Sequence, residues 1–109
     1  MVESREEALR LVREFREKLT GIYGERLKGV CLYGSYARDE ANQDSDIDVA
    51  IVLEGPVNAY EESGRTSDVV GDLCLRENCL LVPFFLTAEE HRMAPYAVHQ
   101  SIVREGVPV

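Results

Sequence analysis

The chain has no apolar run approaching the roughly 18–20 residues needed to span a bilayer, which argues against a membrane protein. The opening M-V-E-S-R-E-E is acidic and carries no signal-peptide-like apolar region. Cysteine is scarce and odd in number. Cys31, Cys74 and Cys79 show no C-x-x-C spacing, which fits free thiols in a reducing cytosol better than a disulfide framework or a zinc site. Basic residues are also in short supply: 12 Lys and Arg against 20 Asp and Glu leave a net charge of −8. Direct nucleic-acid binding draws on Lys and Arg to neutralise phosphates, so it is not expected here. The acidity suits a basic protein partner or serves solubility. Only two histidines occur, His91 and His99, eight apart and without an acid or cysteine at ligand spacing, so each reads as an ordinary helix residue. No internal repeat, low-complexity tract or linker interrupts the chain. Its 109 residues allow one compact domain, residues 1–109, and one core.

What is present has the pattern of an α/β domain. Ser4 and Glu7 make an S-x-x-E capping pattern. Ala8, Leu11, Val12, Phe15 and Leu19 then recur at helical spacing, predicting a helix over 4–19, with Gly21 and Gly24 loosening the chain after it. Leu27–Tyr33 and Asp46–Leu53 read as strands. Both faces of the second are largely apolar beyond its aspartates, so it belongs at the centre of a sheet with helices on at least one side. A weaker helix is expected over 58–75, where Val69, Val70 and Leu73 are the good apolar positions. Cys79–Leu86 is an apolar run of strand length, and Pro83 inside it removes a ladder donor, which argues for an edge position or a bulge. Thr87 and Glu90 form a second capping pattern. Pro95 divides the closing helical region, and Gly106 ends it. The expected order is α-β-β-α-β-α, a small mixed sheet with helices packed on it.

The stretch that carries chemistry is Val30–Leu53. Asp46 and Asp48 lie one residue apart on a predicted strand, so their carboxylates share one side of the sheet. Gly34 and Ser35 leave the preceding strand in a turn whose backbone can approach a phosphate without a Cβ in the way. Arg38 follows at a distance suited to place a guanidinium on the same phosphate. Two carboxylates beside a phosphate-binding turn fit a magnesium-bound nucleoside triphosphate, because Mg²⁺ is typically held by one or two carboxylates together with the substrate's phosphates. Nucleotidyl transfer needs this combination, since divalent cations stabilise the charge that develops during in-line attack on phosphorus.

Tyr33-Gly34-Ser35, ten residues, then Asp46-Ile47-Asp48, with Ser35-x-x-Arg38, resembles the motif of the nucleotidyltransferases of the DNA polymerase β type, and within them the minimal nucleotidyltransferases (MNT). The resemblance runs over almost the whole chain. It implies that Gly34, Ser35 and Arg38 bind the triphosphate, and that Asp46 and Asp48 hold Mg²⁺ and are catalytic. It further implies a cytoplasmic antitoxin of a HEPN–MNT toxin–antitoxin pair, transferring AMP from ATP to a tyrosine of the HEPN partner, in a homo- or hetero-oligomer. Two features depart from the family pattern. The expected third strand carries no acid, the nearest being Asp68, Asp72, Glu77, Glu89 and Glu90. Asp39 also stands where many members have glycine. A nucleotidyltransferase-fold module that neutralises or scaffolds a HEPN partner by contact, with little or no turnover, is therefore the alternative. Transfer to a small molecule such as an aminoglycoside is a third reading, for which 109 residues leave little room unless a partner chain supplies the acceptor site.

Overall fold

The structure is a computed structural model describing all residues, Met1–Val109. Helix α1 (Arg5–Tyr23) leads through one 3-10 turn into strand β1 (Leu27–Tyr33). Strand β2 (Ile47–Leu53), helix α2 (Ala59–Glu77) and strand β3 (Leu81–Thr87) follow, then helices α3 (Ala88–Met93) and α4 (Ala97–Glu105) and a short strand β4 (Val107–Pro108). The strands form one mixed sheet in the order β3-β2-β1-β4. β1 pairs antiparallel with β2 and with β4, whereas β2 and β3 run parallel across the α2 connection. No helix is long and apolar enough to cross a membrane.

The centre of the sheet follows from the alternation along β2. Ile47, Val49, Ile51 and Leu53 point to one face, where Leu11, Val12, Phe15 and Leu19 of α1 and Leu73 of α2 cover them. Ala50 and Val52 point to the other, where they meet Cys31, Leu86 and Ile102 of α4. Helices thus cover both faces, and a strand buried on both sides needs apolar residues on both. Pro83 lies on β3, an edge strand as expected, so its missing donor faces no neighbouring strand. Thr87 and Glu90 form a full capping box at the start of α3, with the Glu90 amide 2.9 Å from Thr87 Oγ1 and the Thr87 amide 2.9 Å from Glu90 Oε1.

Several boundaries differ from the sequence expectation. α1 continues through Gly21 to Tyr23, and Gly24, at φ 56°, closes it. The added turn is held by packing: Tyr23 is buried and its hydroxyl donates to Glu62 Oε1 at 3.0 Å. α2 runs on to Glu77 and buries Glu62 and Thr66 beside Leu73, in place of an unbroken apolar stripe. Glu62 is tolerated there because Tyr23, Arg65 Nη1 at 3.0 Å and Arg26 Nη2 at 3.9 Å surround its carboxylate. Strand β2 starts at Ile47, leaving Asp46 one residue before it, and β3 covers 81–87 where 79–86 was expected. β4 was not expected at all. Two residues carry no periodicity, and they join the sheet because α4 delivers them alongside Cys31 and Leu32.

Candidate functional site

The site lies at one end of the sheet, where β1 ends and β2 and β3 begin. Tyr33 pairs with Asp48 across the antiparallel ladder, so the chain leaves β1 at Gly34 directly beside that aspartate. Gly34 has φ 77°, a conformation other residues adopt only at a cost. A Cβ at this position would overlap Asp48 Oδ2 and lie 3.2 Å from its Cγ. The Gly34 turn and Asp48 are therefore in contact, although 14 positions separate them.

After Gly34 the chain makes one tight turn, with the Arg38 amide donating to the Gly34 carbonyl at 3.1 Å and the Glu40 amide to that of Ser35 at 2.9 Å. Tyr36 anchors the turn from below. It is buried, and its hydroxyl donates to the Val2 carbonyl at 3.2 Å. The segment before Asp46 is held by its own polar groups: the Asp44 amide donates to Asn42 Oδ1 at 2.8 Å and the Asn42 amide to Ser45 Oγ at 3.0 Å. Asp39, the residue that departs from glycine in sequence, takes φ 60° and is exposed, so its carboxylate faces solvent.

Asp46 is exposed and Asp48 half-buried. Burial, and then the like charge of Asp46, push the Asp48 carboxyl above its usual pKa, with Arg38 acting in the opposite sense. The same surroundings push Tyr33 up to about 12, by burial and by the Asp48 charge. A carboxylate made unfavourable by desolvation and by a second acid is a place where a bound cation lowers the energy. Two carboxylates without a third suit Mg²⁺ when phosphate oxygens complete its shell. No three His, Cys, Asp or Glu side chains are placed so that they could hold a metal ion together.

The register shows why. Val82 stands next to Asp48 on β3, and Phe84 next to Ala50, on the same face of the sheet. These are the positions from which an acid could join Asp46 and Asp48, and both are apolar.

Sequence reasoning missed one partner. Arg38 donates from Nη1 to Glu105 Oε2 at 2.9 Å and from Nε to Glu40 Oε2 at 3.0 Å. Glu105 is the last residue of α4, 67 positions from Arg38, and no local pattern marks it. The hydrogen bond Arg38 donates to Glu40, followed by the charge of Glu105, raises the Arg38 pKa further and keeps the guanidinium charged. Its Nη2 donates to no acceptor within the protein. His99 is a residue of helix α4, buried between Phe84 and Tyr96 with ring centroids 6.1 and 5.5 Å away. Phe85 faces the α1–α2 core and Phe84 the α4 side, so one of the pair is in the main core as expected.

A family model of the nucleotidyltransferase domain matches residues 10–100. The chain belongs to this family of enzymes. The nucleotidyltransferase is 31% identical over 100 residues to "Putative protein adenylyltransferase MJ0604" of Methanocaldococcus jannaschii, covering 87% of this chain and 90% of that one. Its fold is that of a crystallised "putative nucleotidyltransferase" from Sulfolobus solfataricus, with a TM-score of 0.68 at 21% identity over 99% of this chain and 87% of the other. The fold is shared too with a chain of the complex of tri-AMPylated Shewanella oneidensis HEPN toxin and MNT antitoxin. That match has a TM-score of 0.60 at 17% identity and covers 93% of this chain and 70% of the other. Nucleotidyltransferases of this family generally work with a divalent metal.

Proposed function

We propose that this nucleotidyltransferase transfers AMP from ATP to a hydroxyl of a partner protein, as the antitoxin of a cytoplasmic HEPN–MNT pair. The observation that carries the reading is the contact between the Gly34 turn and Asp48, which brings a backbone able to approach phosphates against two carboxylates. The name of its Methanocaldococcus relative and the AMPylated complex that shares its fold favour AMP and a HEPN acceptor. A net charge of −8 suits a basic partner.

In this reading the Gly34–Ser35 turn and the free edge of Arg38 receive the triphosphate. Asp46 and Asp48 hold Mg²⁺, which when bound stabilises negative charge on the phosphate oxygens. The acceptor hydroxyl attacks the α-phosphorus; its oxygen–phosphorus bond forms as the bond to the α–β bridging oxygen breaks. Pyrophosphate leaves, and the hydroxyl proton passes out of the site. The chain's contribution is positioning and charge placement, which is where most of the catalysis lies in phosphoryl chemistry.

The test is incubation with ATP labelled at the α-phosphate, Mg²⁺ and a HEPN protein encoded beside it. Label should pass to the HEPN protein with the wild type and not with Asp46→Asn/Asp48→Asn. Equal labelling by both would reject transfer at this site. A second reading, neutralisation by contact alone, is favoured by Val82 and Phe84 standing where a third acid could reach the metal. It expects the double variant to bind and silence the HEPN protein as well as wild type does. A variant that folds and binds but no longer silences would reject it.

A further inference from the structure

Helix α2 ends at Glu77, and Asn78 follows in the left-handed conformation at φ 50°. The amides of Asn78 and Cys79 both turn back to the Cys74 carbonyl, the latter at 3.1 Å. A helix end of this kind brings the side chain beyond the cap against one in the last turn, and the two are usually apolar. Here both are cysteines. The Cys79-to-Cys74 backbone bond sets the two residues side by side, both side chains pack against the same edge of the main core, and Cys74 Sγ accepts the Leu81 amide at 3.3 Å. Both thiols are partly exposed, whereas Cys31 is buried on the other face of the sheet.

The pair stands at a corner that also carries the site. Cys79 lines a cavity of about 310 Å³ together with Asn78, Leu80, Ser45 and Asp46. The Ile47 amide, next to Asp46, donates to the Leu80 carbonyl at 2.8 Å. We propose that Cys74 and Cys79 are a dithiol oxidation site, at which a hydroperoxide produces an intrachain disulfide that clamps the end of α2 to the entrance of β3.

The chemistry closes on these two residues and the peroxide. One thiolate attacks a peroxide oxygen; a sulfur–oxygen bond forms, the oxygen–oxygen bond breaks, and the sulfenic acid and an alcohol or water result. The second sulfur then attacks the sulfenic sulfur. The sulfur–sulfur bond forms, hydroxide leaves, and the thiol proton converts it to water. Two electrons pass from the pair of thiols to the peroxide, and a dithiol reductant reverses the change.

Mass spectrometry of the folded, full-length protein after treatment with hydrogen peroxide tests the proposal. The mass should fall by two hydrogens, leaving Cys31 as the one alkylatable thiol. Arg76 lies between the two cysteines, so a non-reducing tryptic digest should hold the flanking peptides together until dithiothreitol separates them. Cys74→Ser and Cys79→Ser should each abolish the linked species. The oxidised protein should exchange its Cys79 amide hydrogen about tenfold more slowly than the reduced one. Three free thiols after oxidation, sulfinic acids without a link, or covalent dimers in place of the intrachain link would each overturn the oxidation site. Unchanged Cys79 exchange in the linked protein would overturn the clamp.

Discussion

Gly34 and Asp48 are packed so closely that a methyl group on the glycine would overlap a carboxylate oxygen of the aspartate. With φ at 77°, the glycine also holds a backbone conformation that costs any other residue energy. Gly34→Ala should therefore lower stability by about 1–3 kcal/mol, read by urea denaturation. It should also displace Asp48 and remove Mg²⁺-dependent nucleotide binding. An alanine variant with unchanged stability and nucleotide affinity would separate the turn from the carboxylates.

Asp48 carries a charge that the fold does not welcome. Burial and Asp46 raise its carboxyl pKa above the ordinary value. An acid whose folded-state pKa is raised lowers stability once pH exceeds the unfolded value, and the deficit shrinks as pH falls and the folded carboxyl takes up its proton. Asp48→Asn should thus melt a few degrees above wild type at neutral pH. The gap should close on acidification through the carboxylate range. Melting curves of both proteins across pH are the measurement, and a gap that widens toward acid would contradict the sign.

Arg38 is held by Glu40 and Glu105 with one guanidinium nitrogen left over. A charge-assisted hydrogen bond to phosphate contributes about 1.5–3 kcal/mol, so Arg38→Ala should weaken binding of a non-hydrolysable ATP analogue with Mg²⁺ by roughly 10–100-fold. Titration calorimetry reads the change. Arg38 and Glu40 are exposed, and the more buried Glu105 keeps Arg104 Nη2 at 3.7 Å when Arg38 is removed, so melting temperature should fall only slightly.

Glu62 is a buried carboxylate surrounded by Tyr23 and Arg26 from elsewhere in the chain and by Arg65 one turn along the same helix. Glu62→Ala leaves the Tyr23 hydroxyl without its acceptor and opens space beneath α2. A loss of about 2 kcal/mol is expected from the unpaired buried hydroxyl and the lost contacts, with the arginines contributing little because they reach solvent. Tyr23→Phe removes the hydroxyl itself and should cost about 1 kcal/mol. Denaturant titration of the two single variants and the double variant measures their coupling; strict additivity would show that the pair does not act as a unit.

Much of the architecture is written in local patterns. The apolar stripe from Ala8 to Leu19 makes α1, the two-sided apolar run Ile47–Leu53 makes a central strand, and Pro83 excludes β3 from the interior of the sheet. Each is local because periodicity of 3.6 or 2, a capping side chain or a missing amide acts within a few residues. The candidate site was legible for the same reason: Gly34, Ser35, Arg38, Asp46 and Asp48 fall within 15 consecutive positions.

What the residues alone did not reveal depends on distant partners. The last turn of α1 exists because Tyr23 meets Glu62, and β4 because α4 sets Val107 beside Leu32. The tie between Arg38 and Glu105, and the juxtaposition of Cys74 and Cys79 at the end of α2, likewise appear only once helix ends and strand entrances are placed. Sequence determined the elements, the carboxylate pair and the glycine turn, through spacing and side-chain chemistry. Tertiary structure decided which of those groups touch, because contact between them depends on chain packing that no short-range periodicity encodes.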